Sequence, residues 1–167
     1  MQENDRKIIY DTSSSSCSVP YFLPTFKYGF FDESGNTDMI LVGGFSNNGV
    51  LADKQYKKLF PQDDFAQMME QVCYMSIAKN TFPATNNQRK NEEVAISLMK
   101  SLFGLDKIYI DSFNGKKIDN DEVTMMPHAD STYPGVLAAE WWAKKIRKNI
   151  ENPNYHLDER VLELIVE

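Results

Sequence analysis

The sequence predicts an α/β domain, and three observations support this fold class. Apolar runs of strand length recur along the chain, at residues 26–32, 39–45, 72–78, 107–111 and 123–126. A helical pattern at residues 91–102 lies between the third and fourth runs, where a crossover connection is expected. A second helical pattern begins after residue 133. We therefore expect a central mixed sheet of about five strands flanked by helices.

Composition fits one globular domain. The chain has 167 residues, of which 42% are hydrophobic, enough for a sizeable core. No run approaches the ~20 apolar residues of a membrane span, and the polar start lacks a secretory apolar region. We expect a cytoplasmic monomer that binds no membrane. Residues 1–20, with serines at positions 13–16, are expected to form a disordered tail before a single domain at residues 21–167.

The first half of the domain is predicted to be mainly sheet. Residues 26–32 and 39–45 form a hairpin, because the intervening segment contains Gly35 and ends at Asp38. A short helix is expected at residues 53–59, and a helical turn or two at residues 62–69. The β-branched and aromatic residues of positions 72–78 then favour the third strand.

Helices dominate the second half. Asn91 is expected to cap the crossover helix, which Gly104 ends. Asp130 or Ser131 caps the next helix, with Pro134 in its first turn. The predicted buried stripe of that helix consists of Val136, Ala139, Ala143, Ile146 and Ile150. A last helix is predicted from the shared face of Leu157, Val161, Leu164 and Ile165. Trp141, opposite the stripe, would pack against that last helix or, as the less favoured alternative, contact a base or sugar.

Acidic residues stand at the ends of these elements. Asp32 and Glu33 close the first strand, Asp111 closes the fourth, and Asp130 precedes the helix. Neighbouring strand residues point to opposite faces, so Asp32 and Glu33 share a site only if the strand twists or ends between them, as Gly35 allows. Each acid taken alone is typical of a strand end or a cap. Together, the four offer the oxygen ligands that divalent cations prefer.

Three segments resemble the type 2 ribonucleases H, the HII and HIII branches, in the order of that family. Asp32-Glu33-Ser34-Gly35 resembles the family's opening Asp-Glu-(Ala, Val or Ser)-Gly. Ile110-Asp111 resembles the end of its middle strand. Residues 129–144 align without a gap with Ala-Asp-Ser-Lys-Tyr-Pro-Ser-Val-Ala-Ala-Ala-Ser-Ile-Ile-Ala-Lys. The resemblance covers roughly residues 26–150 and is strongest at these three motifs.

The resemblance implies a ribonuclease H-like fold and a metal-dependent endoribonuclease that cuts the RNA strand of RNA/DNA hybrids, leaving a 5′-phosphate. Two Mg²⁺ or Mn²⁺ ions, about 4 Å apart, would activate water and stabilise the departing 3′ oxygen. The implied catalytic and metal-binding residues are Asp32, Glu33, Asp111 and Asp130. The implied substrate-binding residues are Ser34, Gly35, Asn36, Thr37, Lys54 and Ser131, although Lys57 and Lys58 are also candidates for the phosphate contact.

Two departures concern residues near the acidic motifs. Glu140 replaces a small serine of the family pattern. An ion pair with Lys144, at i,i+4, is favoured over an auxiliary acid in the site. His128 precedes Asp130 by two positions, and a loop residue without a chemical role is favoured over a general acid.

Two rival functions remain open, and the net charge of −6 supports the second of them, because nucleic-acid binders are commonly basic. One is another nuclease of the same fold that acts on DNA or structured RNA. The other is an inactive ribonuclease H-like domain retained as an interaction module. The four retained carboxylates favour the enzyme over the module.

The turn after the acidic pair yields a prediction about substrate choice. The HII branch carries Gly-Arg-Gly and the HIII branch Gly-Asn-Gly, whereas this chain has Gly35-Asn36-Thr37. The β-branched Thr37 restricts the backbone and crowds its approach to a ribose 2′-hydroxyl. We expect cleavage of hybrids with runs of RNA, poor cleavage at a single ribonucleotide in DNA, and improvement of the latter in Thr37→Gly. Efficient incision at a lone ribonucleotide by the parent, measured on labelled duplexes, would contradict this interpretation.

Overall fold

The computed structural model describes residues 6–19, 22–35, 39–77, 88–112, 115–152, 154 and 156–167. The strands within these residues are β1 (Lys7–Asp11), β2 (Ser16–Ser18), β3 (Tyr28–Ser34), β4 (Ile40–Ser46), β5 (Gln71–Ser76), β6 (Lys107–Asp111), β7 (Ile118–Asp119), β8 (Val123–Met126) and β9 (Val161–Val166). The helices are α1 (Gln62–Gln67), α2 (Gln88–Leu102) and α3 (Pro134–Ile150). Short 3₁₀ helices span Gly49–Ala52, Lys54–Lys58 and Ala129–Ser131.

The predicted α/β class, with a mixed sheet and flanking helices, is confirmed, but the number of strands is wrong. The described residues form one sheet of nine strands, in the order β2-β1-β9-β5-β4-β3-β6-β8-β7, rather than about five. β3 lies in its interior, antiparallel to β4 and parallel to β6. Among the helices of the described ranges, none has the length and apolar character needed to cross a membrane.

Each face of the sheet buries its own core. Phe31 faces the core beneath α2, together with Met99 and Phe103 of the helix and its end. Phe30, the preceding residue of β3, faces the core shared by α1 and α3. This alternation follows from the period of two along a strand, and it decides which side chains at the end of β3 can meet α3.

α3 packs on β3 and β4 through the stripe that its periodicity predicts, with two differences. Ile150, at the end of the helix, is 42% exposed. Trp142, outside the predicted stripe, is buried and donates a hydrogen bond from Nε1 to the Ala66 carbonyl of α1 at 2.9 Å. Trp141 lies edge-on against Trp142 and beneath the Lys145 ammonium.

Of the four described strands that the prediction lacks, three lie near the ends of the chain, and the fourth is the two-residue strand β7. The segment expected to be a disordered tail contains β1, which pairs in parallel with β9, and β2, which pairs with β1. The predicted last helix is wrong, because β9 occupies part of that segment, between β1 and β5. Val161 and Val166 are β-branched, and pairing on both sides satisfies the backbone of β9 while burying its apolar residues.

The other predicted elements are present with shifted ends. The five predicted strands correspond, in order, to β3, β4, β5, β6 and β8. α2 begins at Gln88, before the predicted cap Asn91, and the helix expected at residues 53–59 is a 3₁₀ helix at Lys54–Lys58. A shift of a few residues at an element's end is ordinary.

Gly135 allows the close approach of α3 to β3, and its replacement is expected to be costly. A Cβ at this position would lie 2.2 Å from Cδ1 of Phe30, a fully buried ring stacked on Tyr109. We expect Gly135→Ala to lower the free energy of unfolding by about 1–3 kcal/mol through overpacking. Chemical denaturation would measure it, with Gly49→Ala as control, because a Cβ there meets nothing nearer than 3.8 Å. Equal stability of the two variants would contradict this packing argument.

Candidate acidic metal site

The acidic residues converge at one edge of the sheet, where β3 and β6 end beside the start of α3. Asp32 lies on the same face of β3 as Phe30, and this is the face that α3 covers. Asp130 lies in the 3₁₀ helix Ala129–Ser131, just before α3. Pro134 at the first position of α3 fixes where the helix begins, so the helix delivers its first turns to the end of β3.

Three carboxylates form the tightest acidic group among the described residues. Asp32, Asp130 and Glu140 each offer one oxygen, and these oxygens all lie within 4.8 Å of one another. They come from three different elements, namely β3, the 3₁₀ helix and α3. We call this group the acidic triad. Glu33 and Asp111, which the sequence placed in the site, are not part of the triad.

Asp32 is the buried member of the triad, with 6% of its surface exposed. Burial raises the pKa of its carboxyl to about 8, although the hydrogen bond from the Glu33 amide to Oδ1 opposes this change. The charges of Asp111, Asp130 and Glu140 contribute to the same rise. A cation placed among these groups would relieve both the desolvation and the repulsion.

Asp111, at the end of β6, supports the loop that carries Asp130. Its Oδ1 accepts a hydrogen bond from the His128 amide at 3.0 Å. His128 has a left-handed backbone, with φ of 59°, where the chain turns into the 3₁₀ helix. Burial raises the pKa of Asp111, and the backbone hydrogen bonds from His128 and Ala129 oppose the rise. Asp111 therefore lies close enough to act on Asp32 electrostatically while its own oxygen orders the loop.

Glu33 lies on the other face of β3. It follows Asp32 in a strand that pairs with β4 as far as Ser34, so no strand end falls between the two acids, and alternation places them on opposite faces. Its Oε2 is buried and has no hydrogen-bond partner among the described residues. The charge of Glu33 also raises the pKa of Asp111, although its effect is the smallest of the causes of that shift.

Glu140 makes the predicted ion pair and also belongs to the acidic triad. Its Oε1 lies 2.7 Å from Nζ of Lys144, one helical turn away. The Glu140 carboxylate raises the pKa of Lys144, which is largely exposed. The sequence offered two signals for this position, the replacement of a small serine by an acid and its place two turns into α3, but the favoured interpretation was the ion pair alone.

Ser34, Gly35, Lys54 and Ser131 are the predicted substrate-binding residues that the structure describes. The Ser34 carbonyl accepts a hydrogen bond from Arg147 at 3.3 Å, and Gly35 has a φ of 106°, which glycine adopts without strain. Asn36 and Thr37 lie outside the described residues. Nζ of Lys54 lies 5.4 Å from the centre of the Tyr133 ring.

The side chain of Lys57 contacts the backbone of the loop that carries Asp130. Its ammonium donates a hydrogen bond to the carbonyl of Ser131, the residue after Asp130. The 3₁₀ helix Lys54–Lys58 thus lies against the loop that carries Asp130, and Asp53 caps it by accepting from the Gln55 amide. The sequence leaves open which of Lys54, Lys57 and Lys58 contacts a phosphate; in the structure Lys54 lies over the Tyr133 ring and Lys57 contacts Ser131.

Comparison with solved structures indicates which known fold this chain resembles. The chain resembles one in the structure of the PCNA:RNase HII complex from Archaeoglobus fulgidus, with a TM-score of 0.56 and 18% identity over 81% of this chain and 84% of that one. It also resembles the crystal structure of ribonuclease H2 from Pyrococcus horikoshii OT3, with a TM-score of 0.48 and 19% identity over 81% and 83% of the two chains. No protein-family model and no curated protein matches the sequence. The first likeness shows a ribonuclease H-like fold.

Proposed function

We propose that this protein is a divalent-metal-dependent endoribonuclease that hydrolyses the RNA strand of RNA/DNA hybrids. The observation that carries the proposal is the acidic triad at the end of β3, in a fold like that of the RNase HII structure. The hybrid substrate rests on the resemblance of three motifs to the type 2 ribonucleases H, and the ribonuclease class agrees with the name RNase HII of that neighbour.

The residues present fit a divalent cation. Mg²⁺ and Mn²⁺ prefer oxygen ligands, and the triad offers carboxylate oxygens from three elements. Asp32 is almost fully buried, yet the one hydrogen bond to its carboxylate within the described ranges comes from a backbone amide. We assign Asp32, Asp111 and Asp130 to the ligands of two ions, with Glu33 and Glu140 as the candidates for a fourth carboxylate.

The metal would supply Lewis-acid chemistry, activating water and stabilising the departing 3′ oxygen. The chain's own residues would position the scissile phosphate beside it. Lys54 and Lys144 place positive charge at the rim of an otherwise acidic site. The Ser131 hydroxyl and the turn at Gly35 would contact the sugar and phosphate.

A nuclease assay tests the proposal against its rivals. Labelled RNA/DNA hybrid, duplex RNA, duplex DNA and single strands would be incubated with Mg²⁺ or Mn²⁺, and with chelator. We expect cleavage of the RNA strand of the hybrid that the chelator abolishes. Cleavage of DNA or structured RNA instead would favour another nuclease of this fold. Binding of nucleic acid or protein without cleavage would favour an interaction module, a rival that the net charge of −6 supports.

A further inference from the structure

We infer that Glu140, rather than Glu33, provides the fourth carboxylate of the metal site. This inference rests on the proposed function, because it concerns the ligands of the same site. It departs from the type 2 ribonuclease H pattern, in which the acid beside the first Asp has this role and a small serine occupies the position of Glu140. The substitution moves one ligand from the strand to the helix.

The geometry of α3 directs Glu140 into the site. The helix packs on β3 so closely that Gly135 has no room for a Cβ against Phe30. Glu140 lies further along the same helix, and its side chain is only 22% exposed. Its carboxylate oxygen lies within 4.8 Å of those of Asp32 and Asp130. A rigid helix on a rigid strand keeps these oxygens together, as a preformed ligand set requires.

The burial of Asp32 within the triad fits a cation at this position. Its carboxylate is more than nine-tenths buried and faces Asp130 and Glu140. Within the described residues, its hydrogen bond comes from the Glu33 amide, and no side-chain donor neutralises it. A buried carboxylate beside two others is costly unless a cation compensates the charge.

Glu33 is poorly placed to bind a metal ion together with Asp32. Regular pairing of β3 with β4 continues through Glu33 to Ser34, so its side chain points away from the face that α3 covers. Its buried Oε2 lies outside the acidic triad. Its charge acts on Asp111, and its oxygens are not among those that lie together around Asp32.

Lys144 does not prevent Glu140 from acting as a ligand. The ammonium contacts Oε1 of Glu140, but a carboxylate has two oxygens and about four lone-pair sites. Lys144 is 68% exposed, so water can replace either partner at little cost. The ion pair orients the carboxylate in the metal-free protein and leaves capacity for a cation.

The test compares metal binding by three variants of the full chain. Calorimetry would measure Mn²⁺ and Mg²⁺ affinity, and thermal melting would measure stabilisation by each ion, with no nucleic acid present. We expect Glu140→Gln to weaken metal binding by roughly 10- to 100-fold or more, and to lose most of the metal-induced rise in melting temperature. We expect Glu33→Gln to stay within about threefold of the parent, on the same scale.

Lys144→Met is the matched control, since it removes the ion pair but keeps the acid. We expect it to retain metal affinity; a loss as large as that of Glu140→Gln would show that Glu140 acts through the ion pair, and would overturn the inference. If Glu140→Gln fails to fold by circular dichroism, Glu140→Ser, the residue of the family pattern, replaces it. Loss of binding in Glu33→Gln but not in the Glu140 variant also overturns the inference.

The outcomes separate this inference from the proposed function. A parent that binds Mn²⁺ or Mg²⁺ and cuts hybrid, with Glu140 dispensable for binding, overturns the inference alone. A parent that binds the ions through Glu140 but cuts no nucleic acid overturns the proposed function alone. A parent that binds neither ion overturns both.

Discussion

We expect Asp130→Asn to reduce phosphodiester hydrolysis by roughly 10³-fold while the protein stays folded. The substitution removes one charged oxygen ligand but almost no volume, and Asp130 is only partly buried. Loss of a single preorganised group that stabilises the transition state typically costs about 10²- to 10³-fold in rate, and a metal ligand also sets the occupancy of the site. Initial rates on labelled hybrid would measure the loss.

Asp32→Asn should give a loss of the same order, because Asp32 is the buried centre of the triad. Asp106→Asn is the matched control, since Asp106 is exposed and precedes β6, at the end of that strand opposite Asp111. Circular dichroism would verify that all three variants are folded. Turnover near the parent level in either Asp130→Asn or Asp32→Asn, with saturating metal, would contradict the assignment of the site.

Local sequence patterns predicted the part of the fold that holds the site. The apolar run before Asp32 becomes β3, the run before Asp111 becomes β6, and Pro134 begins α3, each close to its predicted position. These elements combine strong periodicity with turn or cap residues at their ends, so local preference and tertiary packing agree.

The segment at the C-terminus could not be assigned in the same way. Leu157, Val161, Leu164 and Ile165 match the spacing of a helical face, yet β9 spans Val161–Val166. Its neighbours β1 and β5 are separated from it by more than 80 residues, and a spacing rule contains no information about such pairing. Burial between two strands outweighed the helical pattern.

The position of Glu140 illustrates a different limit. Helical spacing gives the pairing with Lys144, which is local, and the ion pair is present. The distance from Glu140 to Asp32 depends on how closely α3 approaches β3, and that distance is set by the contact of Gly135 with Phe30. Likewise, strand alternation indicates that Asp32 and Glu33 diverge, whereas only the observed pairing to Ser34 shows that no strand end brings them together.

The contribution of Asp32 to the stability of the metal-free protein should be lost as the pH rises from about 4 to about 8. Burial raises the folded-state pKa of Asp32 from 3.8 to about 8. Within this window the unfolded chain has released the Asp32 proton while the folded protein retains it. The contribution of Asp32 to folding stability is therefore fully present below the unfolded-state pKa of 3.8. It is lost as the pH rises through the folded-state pKa of about 8. Each pKa unit corresponds to about 1.4 kcal/mol, so the decrease amounts to several kcal/mol.

Asp32→Asn isolates this contribution, because asparagine does not ionise. In chelator, we expect the variant to be more stable than the parent at pH 8, and their difference in free energy of unfolding to shrink towards pH 5. Asp106→Asn is the matched control for loss of one carboxylate at an exposed position. Chemical denaturation at closely spaced pH values would measure the three curves. Parallel curves for Asp32→Asn and the parent would show that Asp32 is ionised in the folded protein without metal.

Adding Mn²⁺ at pH 8 tests the same residue with the cation present. We expect Mn²⁺ to raise the stability of the parent but not that of Asp32→Asn, because the cation that Asp32 is proposed to bind would compensate the free-energy cost of burying its carboxylate.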